Sequence, residues 1–233
     1  MSHVAADIET VRDDDAIPYY KPIKPDGRLK DIAKIAAHEA EKRDEQMADA
    51  SLDRWACRIV ALAMQDLTSG ERIVRLCKNA EEEAAALREF WWFTTNKVVV
   101  GHNFRSFDYP VICTRSWLLG VPFHVFLGMP HRVRTGKHII DTFEVATFGN
   151  GIREAQASVI SRGLVPLCRR FGIDVPEDDI DGASIGDAVR EGRWEDVRKH
   201  VTSDLNRTIA LAQAMNVTSL LEDVVSDEPV ATF

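Results

Sequence analysis

Three groups of residues in this chain have the types and spacing for hydrolytic chemistry. The first is Asp7-Ile8-Glu9, followed by Thr10. In a strand, residues i and i+2 face the same side, so Asp7 and Glu9 would present two carboxylates together. Like charges that close repel unless cations lie between them. Carboxylate oxygens are what Mg²⁺ and Mn²⁺ prefer. The second group is the run from Gly101 to Asp108, with His102, Asn103 and Phe107 inside it. It follows a valine-rich stretch, and Asp108 stands where it would open the next helix as an N-cap. A buried Asn needs hydrogen-bond partners, and an aromatic beside the acid can wedge a base or fill the core. The third group is His200 and Asp204, four apart and so on one helical face. Taken singly, each has a plain structural reading: two solvated acids, a cap, and a surface pair worth a few tenths of a kcal/mol (~0.3).

Other residues weigh less. The stretch 128–138 holds Arg132, Arg134 and Lys137 and no acid, which suits contact with a nucleic-acid backbone. Arg162, Arg169 and Arg170 are weaker candidates, because helix surfaces carry arginine routinely. Trp91-Trp92-Phe93 ends an amphipathic helix and reads as core rather than as a base-stacking platform. Asp141 follows a strand candidate and reads as a structural or supporting acid. Asp13-Asp14-Asp15 reads as a solvated run, and His102 is as readily a hydrogen-bonded structural residue as a substrate contact.

The elements that must position these groups follow from periodicity. Residues 2–8, 58–67, 72–77, 97–100 and 138–140 read as strands. Thr68-Ser69-Gly70 between the second and third marks a hairpin. Residues 81–93, 109–119, 158–171, 184–191 and 194–215 read as helices, with Gly120 and Gly172 closing two of them. Strand–helix alternation after an early hairpin predicts an α/β protein with a mixed sheet flanked by helices. The stretch 16–50 is proline-rich at first and then helical over 29–47, where Leu29, Ile32, Ile35 and Ala36 recur on one face. It reads as an inserted arm on a single domain. Residues 218–233 read as a loose acidic tail.

Composition bounds the function. The net charge of −8 over 233 residues argues against broad electrostatic adhesion to nucleic acid. It leaves room for a local carboxylate cluster that binds cations. No apolar run approaches the roughly 20 residues of a membrane helix. Residues 1–10 show no signal pattern, so the expected location is cytoplasmic. Cys57, Cys77, Cys113 and Cys168 have no zinc-like spacing and read as buried free thiols.

In order and spacing, the chain resembles the DEDD (DnaQ-like) 3′–5′ exonucleases. The resemblance is carried by Asp7-Ile8-Glu9, Asn103-x-x-x-Phe107-Asp108 and the terminal helix bearing Asp204. It looks closest to stand-alone proteins related to the proofreading domain of family B DNA polymerases. Ile140-Asp141-Thr142, residues 167–173, Asp181-Gly182 and Glu191-Gly192-Arg193 resemble that group's connecting segments. The match covers most of the chain, apart from the 16–50 arm and the tail. It implies a ribonuclease H-like mixed five-stranded sheet and metal-dependent hydrolysis from the 3′ end of single-stranded DNA. It also implies two ions, Mg²⁺ or Mn²⁺. Asp7 would bridge them, Glu9 and Asp204 would complete the site that holds the attacking water, and Asp108 would serve the leaving oxygen. Thr10, His102, Asn103, Phe107, Arg132, Arg134 and Lys137 would contact substrate, and replication or repair proteins would be partners.

One departure concerns the water-activating slot. The branch with tyrosine places it three intervening residues before the last Asp, and the branch with histidine leaves four. Here His200 occupies the tyrosine spacing. Imidazole can take a proton near neutral pH, whereas a phenol mainly orients. The rival readings are a silent binding module of the same fold, an exoribonuclease, and a phosphoesterase acting on free nucleotides.

Overall fold

The computed structural model describes residues 2–24, 26–28, 30–123, 139–149, 159–176 and 180–217. Its organising element is β1 (His3–Arg12). Along it Val4, Ala6 and Ile8 enter one apolar cluster, while Ala5 and Val11 enter another. This is the two-residue alternation of a strand covered on both faces. β2 (Cys57–Asp66) and β3 (Arg72–Leu76) form the expected hairpin. Its turn is held by the Asp66 carboxylate, which accepts from the N–H groups of Thr68 and Ser69, and by Gly70 at φ +77°. β4 (Val98–Gly101) and β5 (Ile139–Asp141) complete a five-stranded sheet in the order β3-β2-β1-β4-β5. β1 runs antiparallel to β2 and parallel to β4, and β5 is parallel to β4. The sheet is therefore mixed, and the α/β arrangement is compatible with the ribonuclease H-like fold.

Helices cover both faces. On one lie α2 (Ala80–Phe93) and α3 (Asp108–Leu118), whose Leu87, Phe90 and Ile112 pack on Ile8, Leu62 and Val99. On the other lie α6 (Ile185–Arg190) and α7 (Trp194–Ala214), with Ile185, Val197, Val201 and Leu205 against Ala5, Ala61 and Ala63. Among the described residues the remaining α-helices are α1 (Ile32–Asp49), α4 (Thr142–Ala146) and α5 (Leu164–Arg170).

The β1–β2 ladder contains one irregularity. Glu9 is opposite Ala61 but Thr10 is opposite Ile59, so Val60 is an extra residue. Val60 and Ala61, adjacent in sequence, accordingly share the same cluster. The bulge lies directly opposite the acidic strand, and bulges of this kind bend a strand and re-aim its side chains. The Ile59 N–H donates to Glu83 Oε1 at 3.0 Å. Glu83 is fully buried and holds Arg115 through two hydrogen bonds of 2.7 and 2.9 Å, and Arg115 reaches Asp13 Oδ2 at 2.6 Å.

Several expectations are corrected here. Asp13 is not part of a solvated run: it pairs with Arg115 and caps a 3-10 turn over Asp14–Tyr19. The first strand continues to Arg12, so its acids lie within it and not at its end. Asp108 is the first residue of α3, with Phe107 at the cap position. Residues 159–163 are not helical, and α5 starts only at Leu164. Pro166 in its first turn has no N–H to give a preceding turn, so it favours a start there. The predicted apolar face of α1 does not enter the core, since no residue of that helix is buried. Trp91 and Phe93 pack inward as expected, but Trp92 is 74% exposed. All four cysteines are buried and free. Among the described residues no helix is long and apolar enough to cross a membrane. The 218–233 tail lies outside the described residues.

Candidate functional site

Asp7 and Glu9 share the β1 face of Ala5, which is the face covered by α7. Pairing between β1 and β4 is recorded from His3 to Ala5, and beyond that point Asp108 takes over the edge. Its Oδ1 accepts the Ile8 N–H at 3.3 Å. The residue at the start of α3 is thereby fixed beside the acidic strand. The loop that delivers it is tightly constrained. At Gly101 a Cβ would come within 2.5 Å of the Cβ of buried Phe104, so only glycine fits. Asn103 follows at φ +57°. The Asp141 carboxylate, at the end of β5, accepts from the N–H groups of Asn103 (2.8 Å), Arg105 (2.9 Å) and Phe143 (2.9 Å). Asp141 thus ties the loop and the start of α4 to the sheet, which is the supporting role expected of it.

From the opposite side α7 brings His200 and Asp204. His200 Nε2 lies 3.5 Å from Glu9 Oε1 and 3.9 Å from Asp204 Oδ2. Glu9, His200 and Asp204 each offer one ligand atom, and these lie within 4.8 Å of one another. Gly182, in the 3-10 turn before α6, sits beside His200 Nε2; a Cβ there would reach only to 4.0 Å. Asp7, Glu9, Asp108 and Asp204 all line one cleft of ≈ 860 Å³. A larger cleft of ≈ 1150 Å³ lies between the arm and α6, and none of the four acids lines it.

The electrostatics match a crowded anionic site. Burial, followed by the charges of Asp108, Glu9 and Asp204, raises the Asp7 carboxyl well above its ordinary value. Burial and the Asp141 charge push Asp108 up to about 7, against the opposing hydrogen bond from Ile8. Among the described residues neither Asp7 nor Asp108 forms an ion pair with a basic side chain. Oxygen donors in this arrangement suit a hard divalent cation that keeps some of its water.

The other expected contacts divide. Asn103 and Phe107 line the acidic cleft. His102 lines it too; its Nδ1 is 2.9 Å from Thr142 Oγ1, and burial lowers its pKa to about 4. Thr10 is not in this cleft. Its hydroxyl donates to the Ser51 carbonyl at 2.7 Å, linking β1 to the end of the arm. Arg132, Arg134 and Lys137 lie outside the described residues. Arg169 lines the cleft, whereas Arg170 does not.

One residue at the site went unnoticed in the sequence. Arg207 is buried and donates from Nη1 to Asp204 Oδ1 at 2.6 Å. The i, i+3 spacing to Asp204 was its available signal. No protein-family model matches the chain, and no curated protein matches it.

Proposed function

We propose that this protein is a divalent-metal-dependent 3′–5′ exonuclease that hydrolyses single-stranded DNA. The observation that carries the reading is that Asp7, Glu9, Asp108 and Asp204 line one cleft, although they come from a strand, the start of α3 and the last helix. The polarity and the choice of DNA rest on the resemblance of the three motifs to the DEDD exonucleases. Magnesium or manganese ions bound among the carboxylates would supply the positive charge that stabilises the attacking and leaving oxygens of an in-line displacement at phosphorus. By the resemblance Asp7 would serve both ions, Glu9 and Asp204 the one that holds the attacking water, and Asp108 the other. His200 would face the side where water attacks, its Nε2 3.5 Å from Glu9 Oε1. There it orients the water and accepts its proton. The water oxygen bonds to phosphorus as the P–O3′ bond breaks, and the 3′ oxygen leaves with a proton. The products are a nucleoside 5′-monophosphate and a strand shortened by one residue. Asn103 and Phe107 on the cleft wall are suited to the terminal sugar and base.

The test uses 5′-end-labelled DNA and RNA strands with Mg²⁺, Mn²⁺ or EDTA. A ladder shortening from the 3′ end, dependent on metal and stronger on DNA, is expected. Asp7→Ala should abolish it while leaving the circular-dichroism spectrum unchanged. Full cleavage by Asp7→Ala would refute the site assignment, and a ladder on RNA alone would make the enzyme an exoribonuclease.

A further inference from the structure

The oxygens of Asp204 are divided between two neighbours. Oδ1 accepts from Arg207 Nη1 at 2.6 Å, while Oδ2 is the oxygen turned toward His200 Nε2, 3.9 Å away, on the side of Glu9. The guanidinium cannot easily leave. Its Nη2 donates to the Pro176 carbonyl at 2.8 Å, and the side chain is buried where α7 packs on α5. Two anchors in different elements fix the plane of the guanidinium, and that plane fixes the carboxylate.

We infer that Arg207 is a positioning residue that keeps Asp204 a one-oxygen ligand and so sets which divalent cation the site accepts. This rests on the metal-site reading above. Calcium takes six to eight oxygens in flexible geometry and often uses both oxygens of a carboxylate. Magnesium demands near-ideal octahedral geometry with single oxygens. Oδ1 keeps a second lone pair, but the 2.6 Å bond holds it turned to the guanidinium, which leaves Oδ2 as the oxygen presented to an ion. The site thereby loses a way of satisfying calcium while losing nothing that magnesium or manganese needs. The guanidinium charge also opposes any cation, but that effect falls on all divalent ions alike. The geometric effect is selective, and this separates the two.

The test is calorimetric titration of the full chain, without nucleic acid, with CaCl₂ and with MnCl₂. Wild type should bind Mn²⁺ at least about tenfold more tightly than Ca²⁺. Arg207→Met removes both the charge and the clamp. Both affinities should rise, and the Ca²⁺ affinity should rise further by about tenfold or more, as expected for one additional coordinating oxygen. Arg207→Lys keeps the charge but has no planar fork to hold Asp204 and the Pro176 carbonyl together, so its Ca²⁺ affinity should rise relative to Mn²⁺ as in Arg207→Met. Equal gains for the two ions in Arg207→Met would reduce Arg207 to a charge and overturn the inference. So would wild type that binds calcium as tightly as manganese, a result independent of whether the variant folds. Asp204→Asn should weaken both ions. If wild type and Asp204→Asn alike bind neither ion, the metal-site reading falls and this inference with it.

Discussion

The sharpest consequence of the site's electrostatics is that it weakens the metal-free protein. Burial and neighbouring charge move the Asp108 carboxyl from 3.8 to about 7 in the folded chain. In the unfolded chain it keeps its ordinary value. Between those two pH values the folded state holds a proton that the unfolded state has released, so folding stability falls as pH rises through that window. Below 3.8 there is no penalty, and above about 7 it is complete. A displacement of this size corresponds to about 4 kcal/mol, and the Asp108 charge in turn raises the Asp7 carboxyl. Asp108→Asn removes the ionisable group and keeps an oxygen for the Ile8 N–H.

The variant in EDTA should therefore be more stable than wild type at pH 8 and equal to it near pH 4. For a chain of this length, about 4 kcal/mol corresponds to a melting temperature roughly 8 °C or more higher at pH 8. Thermal unfolding followed by circular dichroism across that pH range measures the difference directly. Mn²⁺ added at pH 8 should raise the wild-type melting temperature and close the gap, because a bound cation favours the ionised carboxylate. A variant no more stable than wild type at pH 8, or an advantage that does not change with pH, would refute the reasoning.

Three further outcomes follow from particular contacts. Arg115→Met leaves Glu83 buried with its charge uncompensated, and urea unfolding should show a loss of about 3–5 kcal/mol; adding Glu83→Gln, which still accepts from Ile59, should recover most of it, and no recovery would count against the ion pair as the cause. Asp141→Ala strands the N–H groups of Asn103, Arg105 and Phe143, so hydrogen exchange at those amides should quicken and Mn²⁺ affinity should fall with them; unchanged exchange would show that another group holds the loop. His200→Tyr should retain measurable cleavage, whereas His200→Ala should lose about 10²-fold or more; a wild-type rate in His200→Ala would mean that nothing in that slot handles the water.

What could be recognised without coordinates is what short-range periodicity encodes. Asp7 and Glu9 share a face because strands repeat every two residues, and His200 and Asp204 because α-helices repeat every 3.6. The hairpin was legible from its turn residues, and the helices from their apolar spacing. Long-range partnership was not legible. Nothing near Asp13 announces that its carboxylate will meet Arg115, 102 positions away, so a run of three acids reads as solvated. The arm helix misled for a related reason: Ile32, Ile35 and Ala36 make an apolar stripe, yet a stripe fixes burial only if another element lies against it, and Ile32 is 83% exposed. The resemblance implies substrate contact for Thr10, but the bulge opposite Glu9 alters the strand just there, and the hydroxyl donates to the Ser51 carbonyl. Arg207 is the most instructive case. Its spacing from Asp204 was visible, but an i, i+3 ion pair on a helix ordinarily contributes little. Burial and a second anchor at Pro176 turn the same pair into a clamp on a ligand, and both come from the packing of α5 and its following loop on α7, which no window of local sequence contains.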